Sequence, residues 1–210
     1  MIQRFLFLNS VAVVASLGLI APVLAASNPP TQHRSPAELH LAQGMNDTWQ
    51  ERRERMIQAA RQYENAEQWA EAEKAWRDLI QETPNNSTYH FRLGGVLARQ
   101  KKFDEAIASY QKAIQLEPNY AIAYHALGEV LAEQEKLDDA IAAFRKAISI
   151  NENYEEPLTS LALVLKKKGQ NAEAIPLLER AKAIFQQRGN FRMVREVELL
   201  IQQMREPKTS

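Results

Sequence analysis

Along most of this chain, apolar residues recur every three or four positions, the spacing that lines one face of an α-helix. Tyr124, Leu127, Val130 and Leu131 make one such stripe, and Ala140, Phe144 and Ala147 make the next. Val194, Val197, Leu200, Ile201 and Met204 make another, with Arg192, Arg195, Glu196, Glu198 and Arg205 on the polar side. Ala, Glu, Gln, Leu and Lys dominate, and these are strong helix formers. The pattern predicts an all-helical protein.

The first residues follow a different pattern. Met1–Arg4 carries one positive charge, and Phe5–Ile20 carries none. Small residues follow, with Val23 and Ala25 at the places a signal peptidase reads, so cleavage is expected after Ala25 and residues 1–25 are expected to be a signal peptide. The alternative is an uncleaved anchor, since the uncharged stretch of about 20 residues is long enough to span a bilayer. Asn9, Ser10, Gly18 and Pro22 weigh against a stable span. Both readings export the remainder. Residues 26–34, with two prolines among small polar residues, predict a linker. Ser35-Pro36-Ala37-Glu38 has the form of a helix start. It predicts a short helix ending near Gly44, with Asp47 and Gln50 opening the next, so 26–47 is expected to be linker plus short helix. Residues 207–210 are expected to be a disordered tail.

A fixed period organises the middle of the chain. Pro84 and Pro118 stand 34 residues apart in similar phrases, and Glu152 takes the next place. Ala72, Ala106, Ala140 and Ala174 keep the same interval, as do Trp76, Tyr110, Phe144 and Leu178. Leu93, Leu127 and Leu161 keep it too, followed by Gly94, Gly128 and Ala162. Small residues opposite large ones let two helices approach closely, and stacking of neighbouring units supplies the core.

These columns resemble the tetratricopeptide repeat family, whose unit is a 34-residue helix–turn–helix. The resemblance covers residues 53–86, 87–120, 121–154 and 155–188, within a repeat region 48–188. The place where an aromatic is usual holds Met56, His90, Tyr124 and Leu158, so only the third unit keeps it, and Ala59-Ala60 stands where the second unit has Leu-Gly. The fourth unit lacks the closing proline and runs on through Gln186-Gln187. The resemblance implies an all-α, right-handed α-solenoid of helix pairs, and residues 189–206 then supply a capping helix. Alternatively, the apolar stripe from Phe191 to Met204 is a self-association contact. Pro176, in the first turns of the last unit's second helix, is expected to bend or delay that helix.

The resemblance also implies that the first helix of each unit lines a concave face where peptides or partner helices bind. It places Arg61 there from the first unit, and Thr88, Phe91, Arg92, Gly95 and Arg99 from the second. From the third come Ile122, His125, Glu129 and Glu133, and from the fourth Glu156, Thr159, Leu163, Lys166 and Lys167. Arg61, Arg92 and Arg99 would form a basic stripe beside an acidic neighbour of Glu129 and Glu133. The competing account is that these charges are solvated and pair across adjacent helices, each pair worth little. The family variant that clamps chaperone-tail carboxylates with Lys and Asn is not matched: its places hold Ile57, Arg61, Arg92, Ile122 and Ala126.

Composition narrows the chemistry. The 210 residues carry 26 Lys+Arg against 26 Asp+Glu, which gives no bulk charge for neutralising nucleic-acid phosphates. Cys is absent, which excludes disulfides, thiolate metal sites and Cys nucleophiles. The four His, at 33, 40, 90 and 125, have no partner at metal-ligand spacing. No Gly-x-Ser-x-Gly, His-Glu-x-x-His or phosphate-loop motif occurs. The expectation is a non-catalytic protein-interaction scaffold of the cell envelope, binding a peptide or helical segment of another protein. No cofactor, metal, nucleic acid or small-molecule substrate is expected, and membrane contact is expected only through an uncleaved N-terminus. The compartment expected is a bacterial periplasm, or a thylakoid lumen in a photosynthetic bacterium. The alternative function is a membrane-anchored assembly factor.

Overall fold

The structure, a computed structural model, describes residues 36–206, with side chains described from Thr48 onward. The signal segment and its cleavage place after Ala25, the linker 26–34, the capping Ser35 and the tail 207–210 lie outside the described residues. All regular structure among the described residues is helical. In chain order the helices are α1 (Pro36–Asn65), α2 (Trp69–Glu82), α3 (Ser87–Arg99), α4 (Phe103–Leu116) and α5 (Ala121–Glu133). They continue as α6 (Leu137–Ile150), α7 (Glu155–Lys167), α8 (Asn171–Gln187) and α9 (Phe191–Arg205). By backbone contacts, residues 1–44 and 45–210 form two units. The described part of the first is the opening turns of α1, and the second is the repeat body.

One expectation is corrected. The helix that opens at Pro36 does not stop near Gly44, and Asp47 does not start a new one; α1 is continuous to Asn65. A single glycine inside a helix costs only about 1 kcal/mol relative to alanine, and no proline follows it there to break the chain. Pro176 likewise lies within α8, which starts at Asn171 and runs through it.

Four turns at one interval join the first and second helix of each pair. Glu67, Lys101, Glu135 and Gly169 occupy them, with φ of 55°, 59°, 61° and 76°. This is the left-handed conformation that caps helix C-termini. The following amide reaches back to close the turn, as Lys102 N–H does to the Leu97 carbonyl at 2.9 Å and Gln170 N–H to Leu165 at 2.8 Å. Only the fourth turn uses glycine. The other three hold a side chain in a conformation that costs an L-residue about 1–2 kcal/mol, and the paired amide bonds hold the backbone there.

Within each pair, a small residue on the first helix faces a bulky one on the second. A Cβ added to Gly94 would lie 2.7 Å from the Tyr110 ring, and one added to Gly128 would lie 2.6 Å from the Phe144 ring. Real side chains do not approach so closely, so these two helix crossings depend on the missing methyl. Trp76, Phe144 and Leu178 are at most 1% exposed, and Ala60 and Ala162 are fully buried. The core is one continuous apolar cluster from Ala60 to Met204. At its end, Val194, Val197, Ile201 and Met204 of α9 are buried. They pack within the chain as a cap, while Phe191 and Leu199 of the same helix stay exposed, at 66% and 59%. The Asn171 side-chain amide donates to the Met204 carbonyl at 3.1 Å and pins α9 to the start of α8.

Charged side chains tie successive units together. Glu73 of α2 accepts from Gln100 at 2.9 Å, Lys102 at 2.7 Å and Arg77 at 2.9 Å. Burial pushes its carboxyl up, but those three donors outweigh burial and bring it down to about 2. Arg77 reaches on to Glu105 at 2.7 Å, Arg145 pairs with Glu173, and Arg205 pairs with Glu179 at 3.1 Å.

The Gly128–Phe144 crossing yields a test. Gly128→Ala should lower stability by about 1–3 kcal/mol, because the added methyl meets a ring that has no room to move. Adding Phe144→Leu should restore much of the loss, since the fourth unit already pairs Ala162 with Leu178. Urea unfolding of the two variants checks this: equal stability of Gly128→Ala and wild type would show that the crossing is not close-packed.

Candidate functional site

Curvature of the repeat body follows from how its helices space themselves. α5 approaches both α3 and α7 directly, more closely than successive second helices approach one another. The layer of first helices is therefore the tighter one, and the stack is concave on that side. On α3, Thr88, Gly95 and Arg99 lie at spacings of seven and four; Ile122, Glu129 and Glu133 repeat those spacings on α5. Residues so spaced share a helix face. Glu156 and Leu163 continue the same strip on α7.

Two clefts run along this face. One of about 300 Å³ is lined by Glu64, Asn65, Trp69, Phe91, Arg92 and Arg99, among others. The next, of about 440 Å³, is lined by Arg99, Lys101, Glu129 and Glu133 over a floor that includes Tyr110 and Ala126. Gly95 and Arg99 border both, so the two form one groove.

The structure therefore brings Phe91, Arg92, Gly95, Arg99, Glu129 and Glu133 together along the two clefts, whereas the other expected residues, Ile122 and Leu163 among them, line neither. Phe91 packs against Tyr110 and Tyr120, with ring centroids 5.7 Å and 5.2 Å away. Arg92 donates to Glu64 at 3.4 Å, and Glu64 also accepts from the Trp76 indole. Arg61 is exposed on α1 and lines neither cleft. Thr88 stands at the start of α3 beside the Tyr120 hydroxyl. Lys166 lies further along, donating to Gln203 of α9 at 3.4 Å. Lys167 and Lys168 are bound to Glu135 and Asp138.

His125 is placed differently from the expectation. It is 9% exposed and turned into the interface between units. Its Nδ1 lies 3.2 Å from the Tyr154 hydroxyl and its Nε2 lies 3.1 Å from Ser160 Oγ. Phe144 and Tyr154 pack against its ring. Burial holds the imidazole below the usual histidine range, and Glu129, 3.7 Å from Nε2, only partly opposes this. Burial, with the carboxylates of Glu156, Glu129 and Glu155, pushes Tyr154 up to about 12. Two neutral hydroxyls and a neutral imidazole thus form a cross-unit hydrogen-bond chain.

Other groove residues were not singled out from the sequence. Tyr110 counts as a core aromatic by its column, and its ring is indeed buried, yet it also lines the groove floor. Burial and then Glu129 raise its phenol well above the ordinary value, and Arg99 partly offsets them. The signal available was its hydroxyl, in a column otherwise filled by Trp, Phe and Leu. Trp69 and Phe103 each follow a left-handed turn and open a second helix; Leu137 holds the next place at the same 34-residue interval, and that column was the signal available. Among the described residues, no group of three His, Asp or Glu is placed to hold a metal ion, and no helix is long and apolar enough to cross a membrane.

Helix pairs at a 34-residue interval, small-against-large crossings and a groove on the first helices define a solenoid repeat protein. Two tetratricopeptide repeat models match the chain, over residues 84–153 and 131–196, together just over half of it. The chain belongs to the tetratricopeptide repeat family. Solved structures agree on the fold. A crystal structure of MamA is 24% identical, with a TM-score of 0.62, over 66% of this chain and 81% of that one. YrrB, described as a TPR protein with an unusual peptide-binding site, is 22% identical at a TM-score of 0.56, over 61% and 66%. The first TPR domain of Spaghetti (RPAP3), bound to the HSP90 peptide SRMEEVD, is 19% identical at 0.54, over 56% and 93%. A comparison with curated proteins found no match. In all, 355 chains of solved structures match, so the fold alone does not single out a partner. Tetratricopeptide repeats are generally non-enzymatic scaffolds for protein interaction.

The buried histidine makes stability depend on pH. Its folded value lies below 6.5, so the unfolded chain takes up the proton first. Stability from this group is complete above 6.5 and falls as pH drops through that value toward the folded one. His125→Gln, neutral throughout, should remove this part of the pH dependence. Thermal melts of both proteins between about pH 7.5 and pH 5 check it; parallel curves would assign the acid sensitivity to other groups.

Proposed function

We propose that this protein is a non-catalytic scaffold that holds a segment of a partner protein in the groove of its first helices. The observation that carries this reading is the exposure of large apolar side chains on the same helix faces as the cleft residues: Ile122 and Leu163 are each 50% exposed. They stand on the strip that also bears Arg99, Glu129 and Glu133. Apolar side chains ringed by charge in a concave surface are the make-up of a protein-binding site. The peptide-binding site described for YrrB and the HSP90 peptide bound to the first TPR of Spaghetti (RPAP3) fit the same use of the fold.

The test is binding of partner protein from envelope extracts by wild type and by Ile122→Asp/Leu163→Asp. Both residues are surface positions, so circular dichroism and melting should stay unchanged, while capture should fall at least about tenfold, the loss of roughly 1.4 kcal/mol. Lys146→Glu, on the exposed face of α6, should have no effect. Loss of capture with Lys146→Glu but not with the groove variant would move the binding surface to the outer helices.

We further propose that the scaffold works in an exported compartment, a periplasm or a thylakoid lumen, after cleavage behind Ala25. The runner-up is an assembly factor anchored by residues 5–24, favoured by the unbroken lack of charge there. The N-terminal sequence of the natural protein distinguishes them. A start at Ala26 supports export with cleavage, and a retained Met1 or Ile2 supports the anchor.

A further inference from the structure

The charges of this protein behave in two ways. Away from the groove, opposite charges on neighbouring units find each other: Arg77 with Glu105, Arg145 with Glu173, Lys102 with Glu73, Lys167 with Glu135 and Arg205 with Glu179. In the 440 Å³ cleft they do not. Arg99 and Lys101 come from the end of α3, and Glu129 and Glu133 come from α5. Arg99 and Glu133 hold equivalent places in adjacent units and line the same cleft, yet among the described residues neither forms an ion pair. Glu129 has only the His125 imidazole, at 3.7 Å, and burial holds that ring neutral. Between the two walls lies an apolar floor that includes Ala98, Phe103, Ala126 and Val130.

We infer that the groove selects a protein segment bearing both an acidic and a basic side chain beside an apolar one, and fixes its direction; this rests on the groove being the binding site. A uniformly acidic segment would satisfy Arg99 and Lys101 but bring carboxylates against Glu129 and Glu133. A uniformly basic one would meet the opposite conflict. Like charges brought together on binding are strongly unfavourable, and this is how interfaces reject wrong partners. A bipolar segment meets both walls with opposite charge. Its apolar residue covers the floor, and reversing its charge order sets both ends against like charge. The selectivity is electrostatic and exposed, so it weakens as salt rises.

The experiment uses the purified protein and short synthetic peptides that share an apolar centre and differ only in charge: Glu then Lys, Lys then Glu, all Glu, all Lys, and all Gln. Binding is read by fluorescence anisotropy. Wild type should bind one of the two bipolar orders about tenfold tighter than either uniform peptide, a difference of roughly 1.4 kcal/mol. Arg99→Glu/Lys101→Glu should shift preference to the all-Lys peptide, and Glu129→Lys/Glu133→Lys to the all-Glu peptide. Arg99→Glu/Lys101→Glu/Glu129→Lys/Glu133→Arg, which exchanges the sign of both walls, should exchange the preferred order of the bipolar pair. Equal binding of all five peptides, or preference for a uniform one that none of these substitutions moves, overturns the bipolar selection. If that binding is still lost in Ile122→Asp/Leu163→Asp, the groove remains the binding site. If no peptide binds, or binding survives Ile122→Asp/Leu163→Asp, the groove reading falls and the selection falls with it.

Discussion

The molecule depends on one close approach, repeated along its length: a residue with little or no side chain on one helix, pressed against a bulky ring or branched chain on the next. At Gly94 and Gly128 there is no room for even a methyl beside Tyr110 and Phe144. That distance sets how near the two helices of a pair lie and therefore where their outer faces point. A strip of residues spaced by seven and four then falls on one side of every first helix, and adjacent strips merge into a groove. The groove is a consequence of interior packing, although its chemistry is carried by residues that take no part in that packing.

Polar contacts divide the labour by location. Glu73 gathers three donors, Arg77 from its own helix and Gln100 and Lys102 from the α3–α4 turn, and the outer pairs link unit to unit. Exposed pairs of this kind contribute little singly, but they fix the rotation of one unit against the next. His125, Tyr154 and Ser160 do the same from inside, where an unmade bond is more expensive. In the larger cleft, Arg99, Lys101 and Glu133 take no part in such pairs among the described residues, and charges left that way are available for recognition.

Much of this was legible in the sequence. The small and aromatic columns at a 34-residue interval gave the helix pairs, because close packing restricts what those places hold. The groove strip followed from the family resemblance and helical spacing. Three things were not legible. Gly44 looks like a stop signal, but one glycine is a weak break in an otherwise favourable helix. The left-handed turns at Glu67, Lys101 and Glu135 carry no glycine, so only Gly169 announced the column; their conformation is enforced by backbone bonds and not by side-chain preference. His125 occupies a groove position by spacing, yet its ring turns inward toward two hydroxyls, Tyr154 at the end of its own unit and Ser160 of the following one. Column position fixes where a Cα lies, and the rotamer answers to neighbours that are distant in sequence.

α9 has a consequence beyond covering Ile184 and Phe185. Each unit of a repeat array presents one apolar side to its predecessor and another to its successor, so an array without a terminator is an open polymer end. Such head-to-tail surfaces generate fibres when the operation that relates copies does not close. α9 buries its apolar stripe on α8 and turns Arg192, Arg195, Glu196 and Glu198 outward. Its final carbonyls are tethered back by Asn171. The last helix therefore covers, with its own buried stripe, the apolar side of α8 that a further unit would otherwise have to occupy.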